Sequence, residues 1–247
     1  MTTHQFFIKQ SQIDADQRVT IEGADARHMR LVLRLKKGNK VRLIDENRNQ
    51  HVAVVEKVML QAVHAHIVES CRSDSVPLRV SVVQGIPRMP KADVIAQKLT
   101  EIGVQSLVFV PTEHACYTDA LERVARRLPR LRKIAEAAAK QCIRCEIPDI
   151  LISPNLREAV ETLNPDGLLL VADEKASGKR LCTVLDCIKR DRPITVFVGP
   201  EGGFSPYETR LLKGAGAVSF SLGRNILRTE TAALVAAAIV LYELGEI

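Results

Sequence analysis

Five short apolar runs, separated by helical stretches, constrain the fold of this chain more than any other feature of its sequence. Continuous apolar runs of four or five residues are typical of strands that are buried on both faces, as in parallel sheets covered by helices. We therefore predict an α/β domain with a mainly parallel sheet in this part of the chain. The runs are residues 80–83, 107–110, 168–172, 195–198 and 218–222.

The first 72 residues have a different pattern. Residues 40–44 and 51–55 alternate apolar and polar side chains, as strands with one buried face do. Several such stretches separated by turn residues predict a small β-rich barrel, with one short helix near residues 25–35. Residues 70–77 are rich in Ser and Asp and have no periodicity, which predicts a linker. The predicted domains are residues 1–72 and 73–247.

Composition excludes several classes of protein. A hydrophobic content of 46% with 26% charged residues is that of a folded globular protein. The N-terminus lacks the features of a secretory signal, and the longest apolar run, residues 232–242, is too short to span a bilayer, so we expect a cytoplasmic protein without a membrane partner. The six cysteines are expected to be reduced. The single CxxC, Cys142 and Cys145, has no second ligand pair, so no metal is expected.

Positive charge is concentrated near the N-terminus. Residues 1–72 contain 12 Lys and Arg against 8 Asp and Glu, whereas residues 73–247 contain 23 against 21. No acidic residue lies between Asp25 and Asp45, a stretch whose uncompensated charge is typical of nucleic-acid binding. The alternative is a solvated charged face. The basic residues of this stretch are Arg27, Arg30, Arg34, Lys36, Lys37, Lys40 and Arg42.

A long helical pattern at residues 121–142 has a basic face. Its apolar stripe consists of Leu121, Val124, Leu128, Leu131, Ala135, Ala138 and Cys142, while Arg123, Arg126, Arg127, Arg130 and Lys133 lie elsewhere on the helix. Pro129 predicts a kink or two abutting helices. The basic face is consistent with an RNA contact and equally with a solvated surface.

The sequence GPEGGFSPYE at 199–208 predicts a ligand-binding loop between a strand and a helix. Its glycines permit close approach of a ligand, and Ser205 with Glu208 forms the capping-box pattern of a helix start. The loop lacks the Lys and Ser or Thr of a Walker phosphate loop, and its spacing is not GxGxxG. These departures exclude two common nucleotide sites. The alternative is a tight turn without a ligand.

A second polar loop, LGRNILRTETA at 222–232, also joins a strand to a helix. The helix at 232–244 is apolar nearly all round, which predicts that it is buried in the core or an interface. Open α/β sheets bind ligands beyond the carboxyl ends of their strands, so the two loops are expected to form one site. Alternatively, the second loop only caps a terminal helix.

These motifs resemble a known family. GPEGGFSPYE, LGRNILRTETA, EAAAKQCIRCEIP at 136–148, KLTEIGV at 98–104 and VLRLKKGNKV at 32–41 are similar to the RsmE family of 16S ribosomal RNA uridine N3-methyltransferases. The resemblance implies a PUA-like RNA-binding domain followed by a SPOUT methyltransferase domain with a C-terminal trefoil knot. It also implies S-adenosylmethionine (SAM) as cofactor, a homodimer, and 16S rRNA in the 30S ribosomal subunit as substrate.

The resemblance also implies roles for individual residues. Arg228 is a candidate for stabilising negative charge on the uracil oxygens, and Glu230 or Glu201 for the general base, although Arg228 and Glu230 could instead form a structural ion pair. An acidic Glu201 in a loop without Lys is expected to suit a cationic sulfonium donor. Arg144 joins the basic residues Arg27, Arg30, Arg34, Lys36 and Lys37 as a candidate RNA contact. The candidate donor-binding residues are Val171, Val198, Gly199, Pro200, Glu201, Gly202, Gly203, Leu222, Gly223, Asn225, Ile226 and Leu227.

Two positions depart from the family pattern. Gln5 and His114 stand where the family often has Arg, so RNA contacts are expected to be weakened or relocated there. Neither residue is expected to touch the two donor loops. Two other functions are consistent with the same fold: a non-catalytic RNA-binding or ribosome assembly factor, and a SPOUT methyltransferase that acts on another RNA.

Overall fold

The structure, a computed structural model, describes residues 4–72, 80–116, 118–163, 167–176, 181–185 and 192–247, without the side chain of Cys182. The described residues form two compact units. The first unit contains the described residues within Met1–Val76 and Ala139–Glu146. The second unit contains the described residues within Pro77–Ala138 and Ile147–Ile247. The predicted boundary adjoins residues 73–79, so most of the predicted linker lies outside the described residues. Ser70 belongs to a strand instead.

The first unit is the predicted β-rich domain. Its five strands form one sheet in the order β1-β3-β4-β5-β2, in which only β1 and β3 run parallel. A short helix, α1, continues into one turn of π-helix at His28–Val32, close to the helix expected near residues 25–35. The elements are β1 His4–Phe7, β2 Arg18–Glu22, α1 Gly23–Arg27, β3 Lys40–Ile44, β4 Gln50–Val58 and β5 Ala62–Cys71.

Residues Ala139–Glu146 belong to this first unit, which the sequence did not indicate. The Gln5 side chain donates a hydrogen bond to the Arg144 carbonyl oxygen. Lys140 Nζ lies 2.8 Å from Asp25 Oδ1, and Arg48 lies 2.8 Å from a carboxylate oxygen of Glu146. The segment is therefore attached to the β-rich sheet by contacts that are distant in sequence.

The second unit is the predicted α/β domain. All pairings in its six-stranded sheet are parallel, in the order β11-β9-β10-β6-β7-β8. β8 was not predicted, since its DILI sequence is short and only partly buried. The strands are β6 Val80–Gly85, β7 Ser106–Val110, β8 Asp149–Ile152, β9 Leu168–Ala172, β10 Ile194–Val198 and β11 Val218–Phe220. The helices are α2 Met89–Ile102, α3 Ala120–Gln141, α4 Leu156–Thr162, α5 Leu181–Leu185, α6 Pro206–Gly214 and α7 Thr229–Leu244.

Helices cover both faces of this sheet. Val82 and Val196 belong to a core cluster that contains residues of α2, α3 and α7, whereas the neighbouring residues Val83 and Phe197 belong to a second cluster with α4 and α6. Because successive strand residues point to opposite faces, both faces must be apolar. This burial explains the continuous apolar runs.

Two helices differ from their prediction. α3 is one continuous helix that includes Pro129, so of the two predicted alternatives, a kink or two abutting helices, the second is excluded. α7 begins at Thr229 rather than near residue 232, which places Arg228 at its N-cap and Glu230 in its first turn. α7 is buried on one side, and its other residues are half-buried or exposed. No described helix is long and apolar enough to cross a membrane. Of the cysteines, residues 71, 116, 142 and 145 are free thiols, as predicted, whereas the side chain of Cys182 and all of Cys187 lie outside the described part.

Candidate active site

The candidate site lies at the carboxyl edge of the parallel sheet, where the segments after neighbouring strands meet. β6 and β10 pair at its centre, with Gln84 opposite Val198. Gly85 permits the loop after β10 to approach, because a Cβ atom at this position would lie 2.6 Å from Pro200 Cδ. The end of β6 therefore contacts the beginning of the glycine loop.

A buried hydrogen-bond network joins this loop to the start of α7. Gln84 Nε2 lies 3.1 Å from the Gly199 carbonyl oxygen and donates to Thr229 Oγ1 at 2.9 Å. The Thr229 hydroxyl in turn donates to the Gly199 carbonyl oxygen at 2.6 Å. Gln84 is fully buried, so these bonds are shielded from water. The two predicted motifs are thus joined through Gly199 and Thr229.

The glycine loop turns tightly before α6. A Cβ atom on Gly199 would lie 2.9 Å from Gly203, and Gly203 has a φ of +69° with open space at its Cβ position. Ser205 and Glu208 form the predicted capping box. The other Glu208 oxygen accepts a hydrogen bond from the backbone N–H of Glu113 at 2.9 Å, which ties the segment after β7 to the same helix start.

Lys91, in the first turn of α2, lies between the two acidic residues of the motifs. Its Nζ atom is 3.0 Å from Glu201 Oε1 and 3.0 Å from Glu230 Oε2. The three side chains are only 19–25% exposed, so water screens their charges incompletely. One lysine therefore compensates one of the two negative charges, and the three side chains keep a net charge of −1. The prediction that an acidic Glu201 suits a cationic donor did not include Lys91, and it stays a prediction.

The pKa shifts agree with this geometry. Burial alone would raise the pKa of Glu201, but its hydrogen bonds, including those to Lys91 and the Arg88 backbone N–H, outweigh burial and lower it. Burial alone would lower the pKa of Lys91, but its hydrogen bonds and charge interactions with Glu230 and Glu201 raise it. Both shifts favour the ionised pair at neutral pH.

His114 also contacts the glycine loop. Its Nδ1 atom lies 3.0 Å from the Gly202 carbonyl oxygen, and a Cβ atom on Gly202 would lie 2.9 Å from His114 Cβ. The expectation that this position avoids the donor loops was therefore wrong. Gln5 is only 3% exposed and holds Arg144, so any effect of Gln5 on RNA must be indirect.

The predicted donor-binding residues differ in how deeply they are buried. Val171, Val198, Gly199 and Pro200 are buried at the strand ends. The second loop is more open: residues 223–226 are exposed, Leu222 and Leu227 are half-buried, and Gly223 has a φ of +127°. The described residues show Gly199 joined to Thr229, but they show no polar contact between the glycine loop and residues 222–227. That part of the two-walled pocket stays a prediction.

Arg228 does not pair with Glu230. The structure pairs Glu230 with Lys91, and in the described part of the chain no carboxylate lies within 4.0 Å of Arg228. The structural ion pair proposed from the sequence is thus wrong. Arg228 is exposed at the N-cap of α7.

The predicted RNA contacts differ in accessibility. Arg27, Arg34, Lys36 and Lys37 are exposed, and Arg30 is half-buried. Arg144 is also half-buried, and burial lowers its pKa despite nearby Cys142 and Glu146. The exposed residues of the basic stretch are therefore accessible to a ligand, whereas Arg144 is partly shielded.

Sequence reasoning missed Gln84 and Lys91. The sequence feature that could have indicated these two residues is their position. Both lie near the end of an apolar run, where open α/β sheets bind ligands. A polar Gln at the end of VSVVQ and a Lys in the following helix turn are individually common. Only the pairing of β6 with β10 brings them to the two motifs.

The hydrogen-bond network predicts a stability difference between two threonines of α7. Thr229→Val should lower the free energy of unfolding by about 1–3 kcal/mol, because it removes the two buried hydrogen bonds that the Thr229 hydroxyl makes with Gln84 Nε2 and the Gly199 carbonyl oxygen. Thr231→Val is the matched control, since Thr231 is half-buried in the same helix. Urea unfolding measures both. Equal effects of the two substitutions would contradict the assigned role of Thr229.

Comparisons with known proteins agree with this arrangement. Residues 74–241 match the family model described as "RNA methyltransferase domain", and residues 21–68 match the one described as "RNA methyltransferase PUA domain". The chain is 26% identical to ribosomal RNA small subunit methyltransferase E of Bacillus subtilis, covering 96% of both chains. It is 29% identical to the protein of that name in Mycobacterium tuberculosis, covering 87% of this chain and 83% of the relative.

The fold is also similar to a solved structure. The crystal structure of a ribosomal RNA small subunit methyltransferase E from Neisseria gonorrhoeae, bound to SAM, superposes with a TM-score of 0.85 at 28% identity and covers 98% of both chains. The predicted order of a PUA domain followed by an α/β methyltransferase domain is confirmed. Since the methyltransferase model alone matches more than half of the sequence, the chain belongs to the RsmE family of RNA methyltransferases.

Proposed function

We propose that this protein transfers a methyl group from SAM to N3 of a uridine in 16S rRNA of the small ribosomal subunit, in the cytoplasm. The observation that carries the proposal is the junction of the two motifs through Gln84, Thr229 and Lys91 at the carboxyl edge of the sheet. Relatives named as small-subunit rRNA methyltransferases, one of them bound to SAM, support the choice of substrate and cofactor.

The residues present fit a SAM molecule. Gly203 and Gly223 have positive φ values and open space where a side chain would stand, so a ligand can reach the backbone there. Gln84 Oε1 is buried and accepts no hydrogen bond from the described residues. Glu201 is paired with Lys91, so we assign donor binding to backbone groups and shape rather than to an acidic side chain. The bound donor would supply the methyl group on its sulfonium sulfur.

We propose that alignment of the substrate contributes most to the rate. Uridine N3 carries a proton at neutral pH and is a poor nucleophile. Holding the two substrates in a near-attack geometry can contribute about 7–11 kcal/mol, whereas a positioned base contributes about 10²–10⁴-fold in rate. The exposed Arg228 is placed to stabilise negative charge on the uracil oxygens.

We assign the role of base to Glu230 rather than to Glu201. The lowered pKa of Glu201 makes it a weak proton acceptor, and its contacts with Lys91 and the Arg88 backbone N–H suit a positioning role. Glu230 follows Arg228 by two residues in the first turn of α7. Its pairing with Lys91 holds the carboxylate near the loop junction.

We further propose that the protein forms a homodimer and that its SPOUT domain contains the family's C-terminal trefoil knot. A row of α7 residues at helical spacing supports the dimer: Val235, Ala238 and Ile239 are half-buried, and Tyr242 is 69% exposed. The contact of Thr229 with Gly199 supports the knot, because it returns the chain after β11 to the loop after β10.

Methyl transfer to the proposed substrate can be tested directly. Labelled SAM is incubated with the protein and, in parallel, with unmethylated small subunits, naked 16S RNA and tRNA, and the label is then mapped. We expect label on N3 of one uridine in 16S rRNA, with a large loss of kcat for Arg228→Ala at unchanged SAM affinity. Label on tRNA would contradict the substrate. RNA binding without any label would indicate a non-catalytic assembly factor.

Gly202 gives a test of the donor loop. Gly202→Ala should weaken SAM binding at least tenfold in calorimetry, because the added methyl group meets His114 Cβ and displaces the loop. The double variant Gly202→Ala with His114→Gly removes the blocking atom and should recover part of the affinity. Gly214→Ala, where a Cβ meets nothing within 4 Å, is the control. Unchanged affinity in Gly202→Ala would contradict the placement of the donor beside this loop.

Lys91 gives a pH-dependent test. The lowered pKa of Glu201 means that its stabilising contribution is present above the ordinary carboxyl pKa and is lost as the pH falls through the lowered value. The raised pKa of Lys91 means that its contribution is lost only as the pH rises through that higher value. The ion pair between Lys91 and Glu201 is therefore intact at all pH values near neutrality.

In Lys91→Met, the pKa of Glu201 should rise, because the hydrogen bond and the charge of Lys91 that lower it are lost. We therefore expect SAM affinity, measured by calorimetry at a series of pH values, to decline at a higher pH than in the wild type. Lys91→Arg should keep most of the wild-type profile. Lys98→Met, which removes a lysine paired with Glu101 on the same helix, is the control. If SAM affinity declines at the same low pH in Lys91→Met and in the wild type, the ion pairs of Lys91 do not set the pH dependence of SAM binding.

A further inference from the structure

A basic groove of about 570 Å³ lies between the start of α2 and the first half of α3. Four of its six lining residues are arginines from α3. They recur at intervals of three and four residues, which places them along one side of the helix over about 10 Å. The lining residues are Met89, Asp119, Arg123, Arg126, Arg127 and Arg130.

The acidic residues of the groove compensate only part of this charge. Asp93 pairs with Arg127 at 2.7 Å and with Arg130 at 3.1 Å. Asp119 pairs with Arg123 at 2.7 Å and, at 3.8 Å, with Arg126. Glu122 lies 3.9 Å from Arg126, so three carboxylates face four guanidinium groups. The pKa values of the Asp93 and Asp119 carboxyl groups are lowered, chiefly by hydrogen bonds to Arg127 and Arg123 respectively, so both aspartates stay ionised and the local balance remains positive.

Two of the arginines are available to a ligand. Arg126 is 71% exposed and its carboxylate contacts are long, 3.8 and 3.9 Å. Arg130 is 66% exposed and contacts Asp93 through Nε. Arg127, by contrast, holds Asp93 with two nitrogens and is 30% exposed. The groove thus combines the bidentate ion pair of Arg127 and Asp93 with two exposed guanidinium groups, those of Arg126 and Arg130.

The groove begins beside the candidate active site. Met89 lines the groove and is the first residue of α2, two positions before Lys91, which contacts Glu201 and Glu230. The backbone N–H of the preceding residue, Arg88, donates to Glu201. All of these residues belong to the second unit. The groove and the candidate site therefore share the first turn of α2.

We propose that this groove binds the phosphate backbone of the RNA strand that flanks the target nucleotide, with Arg126 and Arg130 as the principal contacts. The inference rests on the proposed function, since it assigns a further part of the substrate to the same site. Guanidinium groups match the geometry of phosphate oxygens. The lining residues that the structure describes include no aromatic side chain, so we expect contacts to phosphates rather than stacking on bases.

The test uses the double variant Arg126→Ala with Arg130→Ala in the full-length chain. Its matched control is Arg157→Ala with Arg210→Ala, which removes two exposed arginines from the surface between α4 and α6. Binding to unmethylated small subunits and to naked 16S RNA is measured over a series of salt concentrations. SAM affinity is measured by calorimetry, and kcat and KM are measured separately for methyl transfer.

We expect the groove variant to bind RNA about tenfold or more weakly near 0.1 M salt and to raise KM for RNA with little change in kcat. Loss of two phosphate contacts to a single strand should reduce the slope of log affinity against log salt by about 1.4. SAM affinity should not change. The control variant should show much smaller effects.

Two results would overturn the proposal: an RNA affinity and salt slope equal to those of the control variant, or a loss of SAM affinity that accounts for the effect. The first result would assign the groove to another partner, such as an acidic protein surface. Failure of the proposed function gives a different pattern. The wild type would then transfer no methyl group to 16S rRNA, while the groove variant would still bind RNA less tightly than the control.

Discussion

The candidate site depends on the parallel pairing of β6 with β10 at the centre of the six-stranded sheet. This pairing sets Gln84 opposite Val198, and Gly85 lets Pro200 approach without a steric conflict. The Gln84 amide can then reach both Gly199 and Thr229. Because the amide is fully buried, any shift in register would leave polar groups without partners, at a cost of about 1–3 kcal/mol each. Register and site geometry are therefore stabilised together.

The negative charge beside the donor loop is only partly compensated. Lys91 pairs with both Glu201 and Glu230, so these three side chains keep a net charge of −1, and they are mostly shielded from water. Uncompensated positive charge lies elsewhere: in the exposed basic stretch of the first unit and, separately, in the α3 groove of the second. This distribution suits an enzyme that holds a small donor by shape and backbone contacts and a large polyanion by its phosphates.

The sequence predicted the elements that local patterns encode. Four of the five apolar runs form strands over their predicted lengths, and the fifth is shortened to Val218–Phe220. The capping box of Ser205 and Glu208 is confirmed. The apolar stripe of α3 is confirmed in part: Val124, Leu131, Ala135 and Ala138 are buried, Leu121 and Leu128 are half-buried, and Cys142 lies beyond the helix end. The errors concern partners that are distant in the chain. Glu201 was interpreted as a free acid because Lys91 is 110 positions away, and His114 was separated from Gly202 by 88. The start of α7 was placed too late because Thr229 and Glu230 resemble loop residues until their buried contacts are known.

The sequence by itself determined the two-part architecture, the parallel sheet and the two loops, because hydrophobic periodicity and turn chemistry act over a few residues. The family resemblance added the candidate chemistry. Only the tertiary structure decided which side chains share the site: Gln84, Lys91 and His114 come from three different segments that sheet pairing brings together. The physical reason is that burial and ion pairing depend on distances in space. The charge of a carboxylate such as Glu201 is therefore interpretable only once its distant partner is known.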